Sequence, residues 1–103
     1  LATRYPRDPR ARFVRAMARV SRGETRAAEE DLRAGLADEA LLRTQFPDRR
    51  LEVSLRASLA EMLQERGETA EARRVVAPVC DVRIAGQTPP QLILLGLCDT
   101  PPR

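Results

Sequence analysis

The tetrapeptide Arg22-Gly23-Glu24-Thr25 returns unchanged as Arg66-Gly67-Glu68-Thr69. Each copy stands where one helical pattern stops and another begins. A glycine is at ease in the left-handed conformation that closes a helix, and the Thr two places on can cap the next. Working outward from the two copies, the same residue types recur at matched distances. A small residue precedes each glycine (Ala16, Ala60), another follows it (Ala28, Ala72), and an aliphatic residue comes after that (Leu32, Val76). Small residues at such points let paired helices approach closely. The chain therefore reads as a duplicated helical hairpin.

The flanking segments extend this reading. Asp8-Pro9 opens a first helix, because Asp accepts from free backbone N–H groups and Pro is pre-set for the first helical position. It is expected to run to Ser21. Thr25 is expected to cap a second helix through Leu36, with Ala27, Ala28, Leu32, Gly35 and Leu36 on one side. Asp38 to Thr44 reads as a short helix with Leu41 and Leu42 inward, broken at Phe46-Pro47. Asp48 is expected to cap a long helix reaching Arg66, with an apolar stripe of Leu51, Leu55, Leu59, Met62 and Leu63. Thr69 is expected to cap the next, which carries Ala72, Val75, Val76 and Val79 inward and ends near Cys80. Thr88-Pro89-Pro90-Gln91 has the form of a capping box and starts a short apolar helix to Cys98. The organisation expected is a single domain: 1–6 as the tail of a preceding repeat, 9–36 as one hairpin, 37–47 as an insertion, 48–80 as the second hairpin and 88–98 as a capping helix.

Composition agrees with an all-α fold. Hydrophobic residues are 43% of the 103, but aromatics only 3%, so the core must come from Leu, Val and Ala. Ala and Leu are strong helix formers, and no stretch alternates with the period of a strand. Charged residues are 32%, of both signs and intermixed, which reads as solvated helix faces. All 18 basic residues are Arg, and the net charge is +3. A nucleic-acid binder would gather its cations on one surface among stacking aromatics. Here acids follow Arg almost everywhere, and the aromatics are Tyr5, Phe13 and Phe46. Nucleic acid is not an expected partner. The longest apolar run, Leu92 to Leu97, is far short of the roughly 20 residues that cross a bilayer, so no membrane insertion of this chain is expected. The chain is expected to be a soluble piece of a longer protein, cytoplasmic or tethered to a membrane through its parent.

The repeated pattern resembles the tetratricopeptide repeat: a small residue on the first helix, Gly-acid at the turn, then Ala and a large apolar residue on the second. Pro6 sits where a preceding repeat of that family would place its Pro. The resemblance covers most of Leu1 to Cys80 and implies an all-α solenoid of two hairpins, a short inserted helix and a C-terminal capping helix. Two departures stand out. The glycines are 44 positions apart, against a family period of about 34, which puts the extra residues in the stretch from Ala37 to Pro47. The first helix also carries Arg12, Arg15 and Arg19 where the register of its counterpart has Arg56, Leu59 and Leu63. A narrower likeness is carried by Leu41-Leu42-Arg43-Thr44-Gln45-Phe46-Pro47, Leu51-Glu52-Val53, Gly67, Ala77-Pro78-Val79-Cys80 and Gly96-Leu97-Cys98. Together these look like the helical repeat tail attached to some bacterial rhomboid-family intramembrane serine proteases. That likeness implies a membrane-embedded protease in the parent and a soluble appendage here.

Catalytic chemistry has little to work with. There is no His, so neither a Ser-His-Asp nor a Cys-His arrangement can be built within this chain. No Gly-rich phosphate loop occurs, and two Cys are too few for an ordinary zinc site. Carboxylates such as Glu29-Glu30-Asp31 are expected on exposed faces. No catalytic residue, metal ligand or cofactor is assigned. Cys80 and Cys98 have two readings of equal weight, a disulfide clasp under oxidising conditions or two small buried thiols beneath the last helix.

The repeat likeness implies a groove lined by the first helix of each pair. The glycine register puts Arg10, Phe13, Met17 and Val20 there from one pair, and Ser54, Ala57, Glu61 and Gln64 from the other. The competing reading is a rotated first helix that buries Phe13 and Met17 in the core. Some family members clamp a C-terminal carboxylate with Lys and Asn, and this chain has neither residue type. Arg12, Arg15, Arg19 and Arg22 form a stripe with two readings. They grip an acidic peptide or phosphate, or they pair with Glu29, Glu30 or Glu52 as surface ion pairs worth little. The function implied is a protein–protein interaction module, regulatory or substrate-recruiting, with a protein or peptide partner. The alternative is oligomerisation through self-association.

Overall fold

The computed structural model describes residues 8–80, 82 and 96–98. Among these are five α-helices, a short 3-10 turn and no strand: α1 (Pro9–Ser21), α2 (Thr25–Leu36), α3 (Glu39–Gln45), α4 (Arg50–Glu65) and α5 (Thr69–Val76), the last running into the turn Ala77–Val79. The expected tail 1–6 lies outside the described residues, as does the 88–98 helix except for Gly96, Leu97 and Cys98.

The duplicated tetrapeptide folds the same way twice. Gly23 has φ 76° and Gly67 φ 81°, and nothing crowds either position, so the positive φ alone explains glycine there. After α1, the Gly23 N–H donates to Val20 O at 3.0 Å and the Glu24 N–H to Arg19 O at 2.8 Å. After α4, Gly67 donates to Gln64 O at 2.9 Å and Glu68 to Leu63 O at 2.8 Å. Both sets of bonds form the Schellman closure, which satisfies carbonyls that a helix end would otherwise leave open. Asp8 caps α1 as expected, its carboxylate accepting from the Arg10 N–H at 2.9 Å. Three other expected caps are corrected. Glu24 and Glu68, not Thr25 and Thr69, are the cap residues of α2 and α5, and neither side chain bonds a helix N–H. Thr25 instead donates its hydroxyl to Gly23 O. At α4 the cap residue is Arg49, although Asp48 still accepts from the Arg50 N–H at 3.2 Å.

The helices pair in sequence order. α1 packs on α2, α4 on α5, and α2 joins the two pairs by packing on α4, while α1 touches α4 more lightly. Ala16, Ala28, Ala60 and Ala72 are all fully buried, the close approach expected of small residues at those points. Gly35 serves the α2–α4 contact in the same way, since a Cβ there would meet Leu55 Cδ2 at 3.2 Å. Leu32, Leu55, Leu59, Leu63, Val76 and Val79 fill the core, with Leu42 of α3 joining it.

Cys80 and Cys98 are joined by a disulfide across 18 positions, with a Cα–Cα distance of 5.8 Å. The clasp holds buried Leu97 against the core. Closing a loop of that length stabilises a fold by about 3 kcal/mol. Reduction with a phosphine is therefore expected to lower the unfolding free energy by about that amount. Cys98→Ser should show the same loss and no further response to reductant. An equal urea midpoint with and without reductant would count against the clasp.

Candidate functional site

Two buried carboxylates organise the polar structure, each surrounded by guanidinium groups. The first is Asp31 of α2, 2% exposed. The expectation of a solvated face is corrected here. Asp31 points at α1, where helical spacing lines up Arg12, Arg15 and Arg19. Arg15 donates through Nε to Asp31 Oδ2 at 3.0 Å and through Nη2 to Oδ1, Arg19 donates to Oδ2 at 2.9 Å, and Arg12 approaches Oδ1 at 3.4 Å. Burial pushes the Asp31 carboxyl up, but the hydrogen bonds and charges of Arg15, Arg19 and Arg12 outweigh it and hold the group below its ordinary value. The arginine stripe is thus neither idle nor paired with Glu29, Glu30 or Glu52. Three of its members replace apolar contacts between α1 and α2 with a shared ion cluster. Arg22 stands apart and pairs with Glu24 at 2.8 Å.

The second is Glu52 of α4, 1% exposed. Arg43 of α3 donates to it at 3.2 Å, Arg49 at 3.1 Å and Arg56 at 2.9 Å. Burial pushes this carboxyl up as well. Hydrogen bonds from Arg49, Arg43 and Arg56 reverse the effect and bring it from 4.5 down to about 2. The same arginines reach onward, Arg49 to Pro78 O at 2.9 Å and Arg56 to Val75 O at 2.9 Å. Glu52 therefore ties the inserted α3, the start of α4 and the end of α5 into one unit. Arg49 has φ 64°, a left-handed backbone that costs a non-glycine residue on the order of 1–3 kcal/mol. Its three side-chain hydrogen bonds, two to Glu52 and one to Pro78, hold it there.

Four of the residues expected in a groove lie on α1 and four on α4, helices that touch lightly. Phe13 and Met17 are half-buried and pack against the core, as the rotated-helix reading requires, yet both keep an exposed edge. Val20 is 45% exposed. Arg10 is exposed and lies over the Phe46 ring, 5.4 Å from its centroid. On α4, Glu61 and Gln64 are exposed and Ser54 is half-buried. Ala57 is corrected: it is fully buried and offers a ligand no surface. A cleft of about 340 Å³ opens elsewhere, between Pro9, Arg12, Gly35, Asp38, Leu41 and Leu42. Asp38 in it is already committed, accepting from the Leu41 N–H to cap α3 at 3.0 Å.

Among the described residues no group of His, Cys, Asp and Glu is placed to hold a metal ion, and no helix is long and apolar enough to cross a membrane. Every buried side-chain polar atom described has a hydrogen-bond partner. Both carboxylates are therefore built into the scaffold. Comparison with family models, with curated proteins and with solved structures gives no match to this chain.

Sequence reasoning missed the two buried carboxylates. One signal was available: Arg at 12, 15 and 19 gathers three cations on one side of a helix that must meet α2, and such a side needs an acid opposite it.

Proposed function

We propose that this chain is a protein-binding module, a tetratricopeptide-like pair of stacked hairpins that takes a peptide or partner helix on the adjoining faces of α1 and α4. What carries the reading is the duplicated hairpin. Two matching Schellman turns close two helix pairs, α2 packs on α4 between them, and α1 touches α4 lightly. Pre-ordered helices bind an extended peptide without an ordering cost of their own. Phe13, Met17 and Val20 supply apolar contact, and Arg10, Glu61 and Gln64 supply a polar rim. Chemistry, if the parent protein has any, resides in other parts of it, as it would for a regulatory or substrate-recruiting appendage of a rhomboid-type protease.

The test is a display selection of random peptides on the intact chain, followed by amide-shift mapping of the enriched sequence. Shifts should concentrate at Phe13, Met17, Val20, Glu61 and Gln64. Glu61→Arg should weaken the selected peptide about tenfold, equivalent to about 1.4 kcal/mol. Arg74→Ala, on exposed α5 surface, should leave it unchanged. An enriched peptide that ignores Glu61→Arg and shifts other residues would refute the groove.

A further inference from the structure

The internal duplication assigns a second use to α1, on a side that the groove does not touch. Moving back 44 positions from α4 to α1 maps Leu55 to Ala11, Ser58 to Val14, Leu59 to Arg15, Met62 to Ala18 and Arg66 to Arg22. On α4 this side is where α2 sits. Leu55 abuts Gly35 at one end, and Arg66 donates to Glu29 of α2 at the other. Leu59 and Met62 lie between them at helical spacing and are buried, with Ser58 half-buried beside them. Among the described residues, the corresponding side of α1 is half-buried at Ala11 and Arg15 and exposed elsewhere. Val14 is 67% exposed, Ala18 is exposed and Arg22 has 61% of its side chain in solvent. Arg22 makes the same local pair with Glu24 that Arg66 makes with Glu68, both at 2.8 Å through Nε. Arg66 then reaches Glu29 across the helix contact.

We propose that Ala11, Val14, Arg15, Ala18 and Arg22 form a docking surface for an acidic amphipathic helix, seated on α1 as α2 is seated on α4. Its chemistry follows from the replacements. Ala11 and Ala18 are smaller than the Leu and Met at the matching places of α4, so the occupant brings large apolar side chains to make up the contact. Val14 adds an apolar contact where α4 has Ser. Arg15, held by Asp31, stands in place of Leu59, and Arg22 keeps the place of Arg66, which takes Glu29 of α2, so the occupant also brings a carboxylate to Arg22. A second copy of the chain does not fit. Stacking head to tail would present α5, where the register puts Arg73 and Arg74 in the places of Glu29 and Glu30. Cation would then face Arg22, and pairing α1 with α1 has the same fault.

The probe is a stapled helical peptide of the Thr25–Leu36 sequence carrying Arg26→Glu and Arg33→Glu, titrated at low salt into the isotope-labelled intact chain. Amide shifts are expected at Ala11, Val14, Ala18 and Arg22. Arg22→Glu and the second exposed variant, Val14→Glu, are each expected to weaken binding at least tenfold while keeping the circular dichroism of the parent. A peptide that also carries Glu29→Arg should regain most of its affinity for Arg22→Glu. No binding, or affinity indifferent to both variants, overturns the proposal. So do shifts at Glu61 and Gln64, which would instead favour the groove. Sedimentation showing a dimer whose contact protects Val14 overturns it in favour of a second copy.

Discussion

Glu52→Gln is expected to lower the unfolding free energy at neutral pH by about 3 kcal/mol, the lower end for breaking a buried ion pair from one side. The carboxylate is 1% exposed and receives Arg43, Arg49 and Arg56. A neutral amide leaves three guanidiniums facing one another and removes the charge that holds Arg49 in its left-handed backbone. Arg43 is 42% exposed and can be resolvated, which keeps the loss from reaching the upper end of the range. Acid titration separates this cause from lost packing. The folded-state value is depressed, from 4.5 to about 2. The stability it contributes is therefore complete above about 4.5 and disappears as pH falls toward 2. Asp31 and Glu29 are shifted in the same direction and add to the same acid limb. Urea midpoints measured between pH 7 and pH 2 should converge for parent and variant at the acid end. Two parallel profiles would mean that Glu52 acts by its shape and not by its charge.

Leu59→Ala is expected to cost about 3 kcal/mol, within the range for a buried leucine whose cavity cannot fully close. Leu59 is 2% exposed, on the side of α4 that meets α2. With aromatics only 3% of the chain, few large side chains are at hand to fill the gap. For a domain of this size the loss corresponds to a melting temperature lower by on the order of 15 °C. Val14→Ala, on the same kind of helix but in solvent, should change stability by no more than about 0.5 kcal/mol. Thermal melts of the two variants make the comparison. Near-equal shifts would mean that α2 and α4 do not share a common core.

Much of the helix layout was legible beforehand. Asp8-Pro9, the two Arg-Gly-Glu-Thr turns and the break at Phe46-Pro47 are local signals, and each acts on the backbone within a few residues of itself. The four matched alanines were legible too, because close approach of two helices demands a small side chain whatever surrounds it. For the groove, periodicity alone set Phe13, Met17 and Val20 on one side of α1. It could not say that Ala57, on α4 itself, would be fully buried.

By itself, then, the sequence determined the helical class, the two hairpin turns and the pairing of small residues, because short-range backbone preferences decide those. Tertiary structure alone decided that Asp31 and Glu52 are buried, which arginines meet them, that Cys80 reaches Cys98, and that Arg49 rather than Asp48 is the cap residue of α4. A carboxylate is stable inside a protein only if cations from other segments arrive at the same place. Arg12, Arg15 and Arg19 lie on one helix and Asp31 on the next; Arg43 and Glu52 belong to different elements again. Only the packing of α1 on α2, and of α3 beside α4, brings those charges within hydrogen-bonding distance.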